Sequence, residues 1–191
     1  MQKFDLNLYQ EQYRIESNRI LNYDYSQSND YFITICTKNM ECYFGEIIGF
    51  KMILNKWGKI IQQNLLNITK FFNNIILDEF VIMPNHIHII FEITHDCRDA
   101  INRVSTVAIG DGIGGITGKY NPMLNKSSLG YIVRSFKSAC TKQIHNIGLY
   151  DFAWQSNYYE HIIRNEKSLN NIREYIKNNP YNWINDRNNI Y

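Results

Sequence analysis

LDEFVIMPNHIHIIFEI, Leu77–Ile93, is the stretch whose reading decides the fold. Two apolar, β-prone runs flank Pro84-Asn85, a dipeptide that breaks a ladder and predicts two strands meeting at a tight connection. On the second strand successive side chains alternate faces, so His86 and His88 share one face while Ile87 and Ile89 take the other. Paired imidazoles on a rigid strand form half of a divalent metal site. Neutral imidazole is the ligating form, and its ordinary pKa lies just below 7. The same pair is equally compatible with two hydrogen-bonded, solvated histidines.

Working outward, Asn165–Trp183 (NEKSLNNIREYIKNNPYNW) carries Leu169, Ile172 and Ile176 at the three- and four-residue spacing of an amphipathic helix. Asn165 or Ser168 supplies a cap, and Pro180 stops the helix. Asn179, preceding proline, is expected outside the α region. Tyr175 and Asn179 lie four apart and so face the same side, a phenol one turn from an amide oxygen. With fourteen tyrosines in the chain, Tyr175 could equally be one that packs at the core boundary.

The rest of the chain reads as strand Tyr31–Thr37, helix Lys59–Phe72, the two strands above, a basic helix within Leu129–Ile144, and a strand near Tyr158–Arg164. That alternation predicts one α+β domain over residues 1–191, an antiparallel sheet with helices packed on one face. Around it stand an N-terminal arm (about 1–29), a Gly-rich insertion loop (about 98–127) and a C-terminal tail (about 181–191). IGDGIGGITG, Ile109–Gly118, is too glycine-rich for a regular element, and Lys119-Tyr120 excludes a phosphate-binding P-loop.

Net charge is only +2, but Gly112–Tyr150 contains no acidic residue. In the basic helix Arg134, Lys137 and Lys142 oppose Ile132, Phe136, Cys140 and Ile144, a face suited to phosphates or simply to solvent. Cys36, Cys42, Cys97 and Cys140 have no zinc-site spacing, and no signal region or bilayer-length apolar run appears. The expectation is a cytoplasmic protein with reduced thiols and no membrane partner.

Four blocks together, YFITICTKNMECYFGEI (Tyr31–Ile47), Leu77–Ile90, LGYIVRSFKSACTKQI (Leu129–Ile144) and Trp154–Trp183, resemble the Y1 family of HUH-type single-strand DNA transposases of the IS200/IS605 group. The match is nearer to their relatives, the REP-associated tyrosine transposases. The resemblance implies a ferredoxin-like palm, His86 and His88 as metal ligands, Asn179 completing the metal site, and Tyr175 as the nucleophile. It implies Mg²⁺ or Mn²⁺ as cofactor, of which two imidazoles and an amide oxygen favour Mn²⁺. It also implies bacterial, single-stranded DNA with hairpin or palindromic elements as partner, cleaved through a 5′-phosphotyrosine and rejoined without ATP. Arg14 and Arg19 in the arm, with Arg134, Lys137 and Lys142, are the expected DNA contacts. Tyr158, Tyr159 and His161 stand as weaker supporting candidates. In the insertion-sequence enzymes the tyrosine helix serves a partner's histidines. Trp154 and the NPYNW ending point instead to the REP-associated group and a monomer, bound to the nucleoid when on DNA.

Two other classes compete. A histidine-based nucleotide hydrolase needs HxHxH, and here Ile90 occupies the third position. A domesticated protein that binds hairpin DNA without cutting it remains the alternative to an enzyme.

Overall fold

The computed structural model describes residues 23–94 and 126–189. Arg14, Arg19, most of the N-terminal arm, Cys97 and nearly all of the Gly-rich segment lie outside the described residues.

The chain runs β1 (Asn29–Cys36), β2 (Gly45–Ile48), β3 (Lys51–Leu54), α1 (Lys56–Leu66), α2 (Ile68–Phe71), β4 (Ile75–Ile82), β5 (His86–Ile93), α3 (Leu129–Asn146), β6 (Tyr159–Ile163) and α4 (Glu166–Asn178). The main sheet has the order β4-β5-β1-β6, every neighbour antiparallel. Leaving out the small β2–β3 hairpin, α2 and the final α4, this is βαββαβ with the ferredoxin-like strand order. The expected α+β class is the one observed. Among the described residues no helix is long and apolar enough to cross a membrane.

Alternation along β1 and β5 divides the sheet into two faces. Tyr31, Ile33, Ile35, Ile87, Ile89 and Phe91 turn to one side and join Ile61 and Leu65 of α1 with Leu129, Ile132, Phe136, Cys140 and Ile144 of α3. On the other, Phe32 and Ile90 meet Ile163 and Ile176 of α4 in a much smaller cluster. So α1 and α3 share the face where helices are expected, and α4 crosses the opposite one. Thr34, His86 and His88 belong to the α4 side, by the same alternation.

The fold departs from the expectations at three places, each for a local reason. The helix expected at Lys59–Phe72 begins earlier, because the Asn55 side chain accepts from Trp57 N–H (2.9 Å) and Gly58 N–H (3.0 Å). It breaks at Asn67, whose side-chain amide donates to the Gln63 carbonyl (2.9 Å) and competes with the helix ladder. The β2–β3 hairpin was not expected: its turn holds Gly49 and Phe50 at φ 54° and 64°, where asparagine or glycine is usual. Asn179 is the third correction. It stays α-helical (φ −59°, ψ −44°) despite Pro180, because Asn182 N–H satisfies the carbonyls of Asn178 and Asn179 and closes a turn around the proline.

Candidate active site

The hairpin at Met83–Asn85 ties β4 to β5 through Met83 N–H donating to the His86 carbonyl at 2.8 Å, so β5 starts with a histidine already in the ladder. Both histidines are fully buried. His86 Nδ1 lies 2.8 Å from Asn85 Oδ1. The Asn85 amide nitrogen donates to the carbonyls of Met40 and Asn188, which turns its oxygen to the ring. His86 therefore carries its proton on Nδ1 and leaves Nε2 bare. His88 Nδ1 lies 2.8 Å from Thr34 Oγ1, its register partner on β1. The two Nε2 atoms stand 3.1 Å apart. Burial holds both imidazoles neutral, with pKa values pushed down to about 3. The Arg187 charge adds to it at His86, while at His88 the neighbouring His86 and then Arg187 lower the pKa further against the Asp186 carboxylate, which raises it.

From the other side α4 brings Tyr175, whose hydroxyl lies 3.2 Å from His88 Nε2. Phe32 holds both rings, stacked on His88 at 5.3 Å and edge-on to Tyr175 at 6.2 Å. Tyr175 is 43% exposed, so its ring can be reached from solvent while the two histidines beside it are sealed from water. Burial and then the Asp186 carboxylate raise its phenol above the ordinary value, opposed by Arg187 and by a hydrogen bond from Asn179.

Asn179 is buried at the end of α4. Its Nδ2 donates to Asp186 Oδ2 at 3.1 Å, and its Oδ1 is buried without a hydrogen-bond partner. Asp186 comes from the tail, which folds back through a short helical turn at Trp183–Asn185; the Trp183 ring lies 6.0 Å from His86. Ligand atoms of His86, His88 and Asp186 all lie within 4.8 Å of one another.

These residues fit a divalent cation. Two neutral ring nitrogens 3.1 Å apart have the separation of neighbouring ligands on one ion with bonds of about 2.1 Å. A carboxylate completes the charge balance, and an unpartnered buried amide oxygen, which costs free energy as it stands, belongs beside a cation. Both nitrogens are oriented through their opposite ring atoms, as metal-ligating histidines are.

Sequence reasoning missed Asp186, Thr34 and Asn85. Thr34 was legible in principle, as the buried polar residue inside the run Tyr31–Cys36. Asp186 follows a non-periodic turn and carries no such signal. The basic helix is apportioned differently from the expectation: Arg134 and Lys142 are exposed on α3, whereas the Lys137 ammonium donates to the carbonyls of Gln155 (2.5 Å) and Ser156 (3.2 Å). α3 also lies across the sheet from Tyr175. Tyr159 is half-exposed on β6 under the Arg187 guanidinium (5.6 Å), and His161 is exposed two residues further along that strand.

No family model matches the chain. It is 43% identical over 173 residues to an uncharacterized protein of Haemophilus influenzae, covering 90% of this chain and 91% of that one. It is similar in structure to a REP-associated tyrosine transposase solved bound to a REP hairpin, with a TM-score of 0.52 and 16% identity over 86% of this chain and 73% of that chain.

Proposed function

We propose that this chain, which belongs to one family with the Haemophilus influenzae protein and has the fold of a REP-associated tyrosine transposase, is a metal-dependent single-strand DNA nuclease and strand transferase. The observation that carries the reading is the Tyr175 hydroxyl 3.2 Å from the His88 nitrogen that faces His86.

His86 and His88 with an oxygen of Asp186 or Asn179 are the residues to hold Mn²⁺ or Mg²⁺. Such an ion, when bound, withdraws charge from a non-bridging oxygen of the scissile phosphate. Tyr175 Oη attacks phosphorus as the bond to the 3′-oxygen breaks, giving a 5′-phosphotyrosine and a 3′-hydroxyl. The phenol loses one proton and the leaving oxygen gains one, so the step is proton-neutral. Reversal by a different 3′-hydroxyl rejoins the strand with no outside energy source. The substrate class is hairpin-bearing single-stranded DNA, supported by the hairpin in the similar transposase structure. Arg134 and Lys142 are then contacts for duplex phosphates, with Arg14 and Arg19 of the arm. His86, His88, Tyr175, Asn179 and Asp186 meet within a single chain, so on this reading a monomer can carry the whole site.

The test uses hairpin oligonucleotides from DNA flanking the gene, with Mn²⁺ or Mg²⁺, resolved on a denaturing gel. A covalent adduct is expected from wild type and absent after Tyr175→Phe or chelation. Hairpin binding with no adduct in either metal would replace the enzyme by a non-catalytic hairpin binder. An adduct that survives Tyr175→Phe would assign the chemistry to another tyrosine.

A further inference from the structure

The helix that carries Tyr175 is held to the sheet by little apolar surface. Ile176 is its one fully buried side chain, in a cluster with Phe32, Ile90 and Ile163 against which only the half-buried Leu169 and Ile172 of the helix and Val81 of β4 also pack. Apolar burial is non-directional, so a patch of that size leaves the rotation and sliding of α4 weakly specified. A phenol that must meet phosphorus in line needs better than that.

The adjoining strand supplies directional contacts. The β4–β5 register shifts between Leu77 and Phe80, leaving Asp78 and Glu79 in a bulge. In a regular strand these neighbours would point to opposite faces; the bulge lets both carboxylates reach α4. Asp78 receives Arg173 through Nε to both carboxylate oxygens (3.0 and 3.1 Å) and Nη2 to Oδ2 (2.5 Å). Glu79 faces Lys177 at 3.7 Å. Arg173 and Lys177 lie one helical turn apart, on either side of Tyr175 in sequence. An exposed lysine pair contributes little. The Arg173–Asp78 pair differs: its fork geometry fixes both distance and angle, and the Asp78 side chain is only 19% exposed.

We propose that the Asp78–Arg173 pair, seated on the β4 bulge and assisted by Glu79–Lys177, is a clamp that sets the position of α4 and so aims Tyr175 at its own chain's histidines. Asp78 and Arg173 are positioning residues. The inference rests on the tyrosine nuclease reading, but the clamp itself is measurable without it.

The full chain is compared as wild type, Arg173→Ala, Asp78→Asn and the exchange Asp78→Arg with Arg173→Asp. Single-turnover adduct formation on the hairpin oligonucleotide with Mn²⁺ is expected to slow about 100-fold in either single variant, the scale of an ångström of misplacement. Hairpin Kd and Mn²⁺ binding, read by electron paramagnetic resonance, are expected to stay as in wild type, and the exchange variant recovers most of the rate. Amide hydrogen exchange across Glu166–Asn178 is expected to quicken in the single variants and slow again on exchange. If wild type makes no adduct, the nuclease reading fails and hydrogen exchange still decides the clamp. Unchanged exchange in α4, or adduct rates equal to wild type in both single variants, overturns the clamp. Should Arg173→Ala unfold the protein, Asp78→Asn, which keeps side-chain size, carries the same test.

Discussion

At the scale of single residues, the site is defined by what stands behind each histidine. His88 presents Nε2 because Thr34 holds Nδ1 at 2.8 Å. Thr34→Val keeps shape and removes that oxygen, and it should weaken Mn²⁺ binding by about 10–100-fold, the usual effect of losing such a partner. A titration giving wild-type affinity would detach Thr34 from the metal site. The two buried histidines also make a pH prediction. Both are held neutral down to about 3, whereas unfolded histidine titrates near 6.5. Between those values the unfolded chain takes up protons that the folded chain refuses. Metal-free stability is therefore full above pH 6.5 and falls as pH drops, by up to about 1.4 kcal/mol per pH unit for each histidine. Urea midpoints from pH 7 to pH 4 should fall more steeply for wild type than for the double variant His86→Asn, His88→Asn. Parallel curves would mean the imidazoles are charged or exposed.

At the scale of elements, α1 is docked by two features of its first turn. The Asn55 side chain caps Trp57 and Gly58, and also donates to the Tyr43 carbonyl at 2.8 Å. Asn55→Ala should cost about 1 kcal/mol or more, the value of a lost cap plus an emptied carbonyl. Gly58 is there because a Cβ would stand 2.2 Å from the Phe44 carbonyl oxygen, which belongs to backbone and cannot step aside. Gly58→Ala should destabilise by about 1–3 kcal/mol, as overpacking does, despite alanine's better helix propensity. A melting temperature at or above wild type would show that α1 can slide. Helices α1, α3 and α4 were legible from periodicity, since their buried and half-buried apolar residues recur at three and four. The β2–β3 hairpin was not, because a phenylalanine occupies the left-handed position where the usual turn signal would be glycine or asparagine.

At the scale of the molecule, the two faces of the sheet differ in how much they bury. The α1/α3 face carries most of the buried apolar side chains, and the α4 face carries four. Local opening should follow that division. Amides of β5 and α3 should exchange only through global unfolding, while those of α4 exchange through a cheaper local opening. Equal protection across α3 and α4 would contradict it. The same asymmetry puts Tyr175, 43% exposed, on the less firmly held element.

Strand parity put the two histidines on one face, and helical parity put Tyr175 and Asn179 on one side; those are local periodicities that each segment enforces by itself. Periodicity says nothing of which faces meet. Chain crossing of β1 between β5 and β6 brought Thr34 behind His88, and the fold-back of the tail brought Asp186 to the same ring nitrogens. Pairing across 54 residues, and a turn with no repeat, are decided by the burial of the whole sheet, a sum that no single stretch of sequence contains.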